Sequence, residues 1–121
     1  MKWYRHAADQ GFAQAQFNLG NMFRAGEGVP QDKEQALTLY KQAAEQGLAQ
    51  AQANLGVMYY QGTGVLQDYV YAHMWLNIAV SNGNKRARKL RETITQISSP
   101  NQIEKVQALA RECVRKNYQG C

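Results

Sequence analysis

The chain has 121 residues, of which 45% are hydrophobic and 19% are charged, and it contains only two prolines. This length and composition exclude a disordered or low-complexity chain and are typical of one folded domain. The net charge of +5 is uneven, because residues 1–84 carry five Lys and Arg against six Asp and Glu, whereas residues 85–121 carry nine against three.

An internal repeat with a period of 36 residues organises most of the chain. Residues 7–32 align with residues 43–68 without a gap, and 17 of the 26 aligned positions are identical. A fixed period of this length is typical of solenoid proteins, in which each repeat packs only on its neighbours. The sequence predicts two complete repeats, residues 12–47 and 48–83.

The first predicted element, residues 1–11, is the second helix of a partial repeat, because Trp3 and Tyr4 align with Leu39 and Tyr40. The helix that would precede it in a complete repeat is missing from the sequence. We therefore expect Trp3 and Tyr4 to be partly uncovered, which predicts either an upstream segment or self-association through this end.

Each complete repeat is predicted to form two helices joined by a glycine turn. The first helix, near residues 13–25, has apolar residues at the spacing of one helix face, and a copy follows 36 residues later. Gly26 and Gly62 suit the left-handed conformation that closes a helix. Asp32 and Asp68 are predicted to cap the second helices, and the glutamine three residues after Asp32 is predicted to complete a capping box.

Residues 84–121 depart from the repeat and are predicted to form a capping pair of helices with a charged outer face. The first of the two is basic, which suits an acidic partner, nucleic acid or a membrane surface, or is simply a solvated face. The second capping helix has a start signal, which consists of Ser99, Pro100 and Gln102. The inward stripes of the two helices are predicted at Ala87, Leu90, Ile94 and Ile97, and at Ile103, Val106, Leu109, Ala110 and Cys113.

The repeat resembles the Sel1-like repeat family, which is related to the tetratricopeptide repeats. The resemblance rests on residues 39–47 and 49–65, and the segment from residue 85 onward looks like the usual C-terminal ending of the family. It implies an all-α fold, an α-solenoid of stacked helix-turn-helix repeats with a C-terminal capping helix pair, as one domain over residues 1–121.

No residue pattern in the chain indicates catalysis, a metal or a cofactor. The Gly-x-Gly pairs follow helices and recur at the repeat period, so they are turns and not phosphate-binding loops. His6 and His73 are isolated, and no spacing of Cys, His, Asp and Glu resembles a metal site. We expect a protein that is not an enzyme and needs no cofactor.

Cys113 and Cys121 are the only cysteines, and they are eight residues apart. They can form a disulfide if the C-terminal tail folds back, or they can remain free thiols. The family resemblance favours the bridge, since many Sel1-like proteins are exported and some contain disulfides. A bridge would indicate a periplasmic or secreted protein, and free thiols would indicate a cytoplasmic one. The N-terminal residues lack the apolar core of a signal peptide. No run of about 18 apolar residues predicts a transmembrane helix.

A partner is predicted to bind the concave surface, which the first helices of stacked pairs line. Related tetratricopeptide repeats often use an asparagine at the position of Asn18 and Asn54 to hold a peptide backbone, although these amides can instead bond only to neighbouring helices. Basic residues at the border of this groove would favour an acidic segment or a C-terminal carboxylate. The predicted groove residues are Gln14, Phe17, Asn18, Asn21, Arg24, Gln50, Ala53, Asn54, Val57, Tyr60, Arg86 and Lys89.

The sequence therefore predicts an adaptor or scaffold that binds a partner protein or peptide. Two alternatives remain open. The resemblance is also compatible with a cell-wall or β-lactam-related accessory protein, and the missing first helix is compatible with a structural piece of a longer solenoid. Nucleic acid is disfavoured as a partner, because no aromatic residues interleave with the basic cluster as stacking platforms.

Overall fold

The computed structural model describes residues 11–121. The predictions for the partial repeat, including exposure of Trp3 and Tyr4 and self-association through them, lie outside the described residues. Residues 11–121 form six helices and no strand. The helices are α1 (Ala13–Ala25), α2 (Lys33–Ala44), α3 (Ala49–Gln61), α4 (Tyr69–Ser81), α5 (Ala87–Ile97) and α6 (Pro100–Arg115).

The helices stack in chain order, which confirms the predicted all-α solenoid. Helix α1 packs on α2, α2 on α3, and α3 on α4, so each complete repeat contributes one helix pair. The capping helices α5 and α6 both pack on α4. This order follows from the repeated sequence, because equivalent apolar positions recur in each helix pair and pack against the next pair.

The turns within the repeats form as the glycines predict. Gly26 and Gly62 adopt left-handed conformations, with φ of 74° and 72°. Their backbone N–H groups donate to the carbonyl oxygens of Met22 and Met58 at 2.8 Å, which satisfies acceptors at the helix ends.

The two aspartates cap the second helices, but the predicted capping box at Asp32 is wrong. Asp32 Oδ1 accepts the backbone N–H of Gln35 at 3.1 Å, and Asp68 Oδ1 accepts those of Val70 and Tyr71 at 3.0 Å. The reciprocal bond from the Asp32 amide to the Gln35 side chain is not made, because that amide donates to the Phe23 carbonyl at 2.8 Å. The capping box at Ser99 and Gln102 is complete.

Two glycines allow the helices of each pair to approach closely. A Cβ atom built on Gly20 would lie 2.9 Å from Cε1 of Tyr40, and one on Gly56 would lie 2.8 Å from Cγ of Leu76. Both distances are shorter than real carbon contacts, so no side chain fits at either position without movement of its neighbour. Position 40 and position 76 are equivalent in the two repeats.

The capping helices complete the core. Val106 and Cys113 of α6 are 1% exposed and pack with Trp75 of α4, while Ile94 of α5 is fully buried. The predicted inward stripe of α5 is wrong at Ile97, which is 59% exposed. The reason is that α5 ends at this residue, where the chain turns toward α6.

The five residues after Lys116 fold back against the repeats. Gln119 Nε2 donates to the Glu45 carbonyl oxygen at 2.9 Å, and the Tyr118 ring lies over Gly47. Cys113 and Cys121 are paired as a disulfide, with their Cα atoms 5.7 Å apart.

Candidate peptide-binding groove

A cavity of about 560 Å³ opens on the face formed by α1, α3 and α5, the first helices of three consecutive pairs. We call this cavity the groove. Arg24, Gln50 and Arg86 are exposed, whereas Ala53 and Ala87 are buried, and α4 contributes the buried Leu76. The lining residues are Phe17, Asn21, Arg24, Gln50, Ala53, Asn54, Val57, Leu76, Asn84, Arg86, Ala87 and Leu90.

Eight of the twelve predicted groove residues line this cavity, and they come from all three helix pairs. Their convergence follows from the repeat, because stacking places equivalent positions of α1 and α3 side by side. The eight residues are Phe17, Asn21, Arg24, Gln50, Ala53, Asn54, Val57 and Arg86.

The other four predicted residues, Gln14, Asn18, Tyr60 and Lys89, lie outside the groove. Gln14 Nε2 donates to Asn18 Oδ1 at 3.1 Å, so these two amides pair along α1. The Tyr60 ring instead stacks on Tyr69, with ring centroids 5.3 Å apart. Lys89 is exposed to solvent beyond the groove.

The hydroxyl group of Tyr40 organises the polar end of the groove. It donates a short hydrogen bond to Asn21 Oδ1, although the Tyr40 side chain as a whole is fully buried. Burial raises the pKa of Tyr40, and the Arg24 charge and hydrogen bonds from Asn54 and Arg24 oppose that rise. The buried phenol of Tyr40 is therefore hydrogen-bonded to α1 and lies close to Asn54 of α3.

Sequence reasoning used Tyr40 to align the partial repeat and missed this role. A signal was present, because a buried tyrosine needs a partner for its hydroxyl group. It also missed Leu76, Asn84, Ala87 and Leu90, which have no distinctive polar pattern and enter the groove only through the packing of α4 and α5.

The groove is positively charged. Among residues 11–121, its charged lining residues are Arg24 and Arg86, and no Asp or Glu of that range lines it. A more open cavity of about 410 Å³ adjoins it through Gln50, Asn84 and Arg86 and adds Lys85. A ligand in the groove therefore meets cationic groups at the α1 border and at the α5 border.

His73 lies outside the groove, on α4, and is 3% exposed. Thr95 Oγ1 donates its single proton to the Arg91 carbonyl oxygen at 2.8 Å, so it accepts from His73 Nε2 at 3.1 Å. This assigns the neutral ring the Nε2–H tautomer, and His73 Nδ1 has no partner. Burial lowers the pKa of His73, and the Arg91 charge lowers it further.

Metal-binding and membrane-spanning features are absent from the part of the chain that the structure describes. Across residues 11–121, no group of three or more His, Cys, Asp and Glu side chains is arranged to hold a metal ion. None of the helices in that range combines the length and apolar character that crossing a membrane requires.

The stacked helix pairs, their glycine turns and the groove define an α-solenoid repeat protein. A family model described as Sel1 repeat matches residues 1–12, 13–48 and 49–84. The chain therefore belongs to the Sel1 repeat family. Sel1 repeats usually mediate protein binding, and proteins of this family are typically non-catalytic scaffolds.

The solved structures that are similar to this chain include two proteins, and none of the curated proteins matches it. One is c5321, a protective antigen present in uropathogenic Escherichia coli strains displaying an SLR fold. It is 36% identical with a TM-score of 0.90, and the match covers 97% of this chain and 26% of that chain. The other is a Sel1 repeat protein from Oxalobacter formigenes, 40% identical with a TM-score of 0.69, over 71% of this chain and 35% of that chain. This chain thus matches less than half the length of either protein.

Proposed function

We propose that this chain is a protein-interaction module that binds an extended, acidic segment of a partner protein in the groove. The observation that carries the proposal is the groove itself, which spans three helix pairs and is lined, within the described part of the chain, by Arg24 and Arg86 and by no carboxylate. Arginine binds carboxylates through charge-assisted hydrogen bonds. Because the similar solved proteins are longer than this chain, the proposal concerns this groove and not the activity of a longer protein.

Side-chain amides support binding of an extended backbone. Gln50, Asn54 and Asn84 line the groove at intervals, and each amide can donate and accept at the same time. A peptide backbone in an extended conformation presents N–H and C=O groups along its length and needs such partners. The amides therefore suit the backbone, and the arginines suit acidic side chains or a terminal carboxylate.

Two matched charge reversals test the proposal, one at the residue that directly precedes α5 and one in its first turn. Arg86 lines the groove, whereas Lys89 lies three residues further along and outside it, and both are exposed. We expect proteins captured from the source cell's lysate by the wild type to be retained by Lys89→Glu and lost with Arg86→Glu. Mass spectrometry identifies the captured proteins, and circular dichroism confirms that both variants fold. Equal capture by the two variants would remove the groove as the binding site.

A further inference from the structure

The floor of the groove differs between the two complete repeats. Tyr40 and Leu76 are 36 residues apart, and each packs against the glycine in the first helix of its own pair. Both side chains are fully buried. Leu76 lines the groove directly, whereas Tyr40 lies behind two lining residues, since its ring packs on Phe17 and its hydroxyl group donates to Asn21. Tyr40 supplies a hydroxyl group at this level, whereas Leu76 supplies only carbon, so the same position is polar in one repeat and apolar in the next.

The polar part lies over Tyr40 and presents hydrogen-bond donors. Asn21 uses its Oδ1 to accept from Tyr40, which leaves the Nδ2 group of the amide to donate. Arg24 is exposed at the same border, and no ion pair forms between it and any carboxylate in residues 11–121. Donors and a positive charge without an acidic neighbour suit a carboxylate ligand.

The apolar part lies over Leu76. Ala53, Ala87 and Leu90 belong to the same apolar cluster as Leu76, and Val57 of α3 is a further apolar residue of the groove lining. Val57 occupies the position that Asn21 holds in the preceding repeat. The change from Asn21 to Val57 therefore accompanies the change from Tyr40 to Leu76, and both replace a polar side chain with an apolar one. Such a patch suits an aliphatic side chain.

We infer that the groove selects a segment in which an aliphatic residue and an acidic residue are two positions apart. In an extended segment, residues two apart point to the same side. The aliphatic side chain lies over Leu76 and Val57, and the carboxylate binds Asn21 and Arg24. Tyr40 acts as a positioning residue, because it fixes which end of the Asn21 amide faces the ligand. This inference rests on the proposed function, since it concerns the same groove.

An array of fluorescent heptapeptides with blocked termini tests the inference. The central residue is leucine, serine or lysine, and the residue two positions before or after it is aspartate, serine or lysine. Fluorescence anisotropy measures each affinity. We expect the peptides that combine leucine and aspartate to bind about tenfold or more tightly than those in which serine replaces either one, as the loss of a charged hydrogen bond or of a buried aliphatic side chain predicts.

Three variants separate the two parts of the groove. Tyr40→Phe keeps the ring against Gly20 but removes the hydroxyl group, and Arg24→Gln removes the charge of an exposed side chain that forms no ion pair within residues 11–121. Both are expected to lose most of the preference for aspartate over serine while keeping the preference for leucine. Val57→Asn, which copies the residue of the preceding repeat, is expected to do the reverse.

The inference is overturned if affinity does not depend on leucine and aspartate, or if Tyr40→Phe and Arg24→Gln leave the aspartate preference unchanged. Arg24→Gln decides the matter if Tyr40→Phe does not fold. Binding of peptides without this preference would leave the proposed function intact, because the Arg86→Glu and Lys89→Glu comparison tests that function separately.

Discussion

The Tyr118 hydroxyl oxygen lies 3.1 Å from Asn82 Nδ2, which joins the C-terminal tail to the end of α4. The same Asn82 amide donates to Gln52 Oε1 at 2.9 Å, and Gln52 Nε2 donates to the Ala44 carbonyl oxygen at 3.1 Å inside the core. The tail is therefore part of a hydrogen-bonded chain that reaches the interior of the second repeat.

The disulfide between Cys113 and Cys121 is expected to stabilise this arrangement. Closing a loop of this size removes conformational freedom from the unfolded chain and contributes about 2 to 3 kcal/mol to the free energy of unfolding. Urea unfolding is expected to show that loss for the reduced protein and for Cys121→Ser, and intact mass is expected to increase by two hydrogen atoms on reduction. An unchanged mass would contradict the bridge, and an unchanged unfolding midpoint would contradict its stabilising effect.

Gly56→Ala is expected to destabilise the chain. The added Cβ would lie 2.8 Å from Leu76 Cγ and 3.2 Å from the Ala72 carbonyl oxygen, so α3 and α4 must move apart. Overpacking of this kind costs about 1 to 3 kcal/mol. The control is Gln61→Ala at the exposed end of the same helix, which should change the free energy of unfolding by less than about 0.5 kcal/mol. Equal urea midpoints for the two variants would show that the helices tolerate the methyl group.

Asp68→Ala is expected to destabilise α4 by about 1 kcal/mol, because it removes the acceptor for the backbone N–H groups of Val70 and Tyr71. Asp68→Asn retains an oxygen at the same position and is the matched control. Thermal unfolding should place the asparagine variant close to the wild type and the alanine variant below it. A similar loss in both variants would indicate that the charge matters and the cap does not.

The stability of the chain is expected to fall as the pH drops below about 6.5, the ordinary pKa of histidine. Because burial lowers the pKa of His73 in the folded state, the unfolded state binds a proton in this range that the folded state does not. The free energy of unfolding therefore decreases on acidification, by at most about 1.4 kcal/mol per pH unit from this group.

Urea unfolding at pH 7.5, 6.5 and 5.5 measures this dependence, with His73→Gln as the comparison. His6 is present in both proteins, so the difference between their pH profiles isolates His73. We expect a flatter profile for the variant. Parallel profiles would mean that His73 gains a proton as readily when folded as when unfolded.

The sequence by itself determined the helix pairs of the two repeats. Local signals decide where α1 ends and where α4 begins, since Gly26 readily adopts a left-handed conformation and Asp68 offers an oxygen to free backbone N–H groups. The 36-residue period then requires equivalent helices to stack, so most of the predicted groove residues converge.

Only the tertiary structure decided the chemistry of the groove. Asn18 and Asn54 are equivalent in sequence, yet Asn18 pairs with Gln14 while Asn54 lies in the groove near Tyr40. The hydroxyl group of Tyr40 acquires its role from side chains on α1 and α3 that are distant in sequence. A periodic pattern specifies which positions face a neighbour, but hydrogen bonds and burial depend on which atoms that neighbour presents.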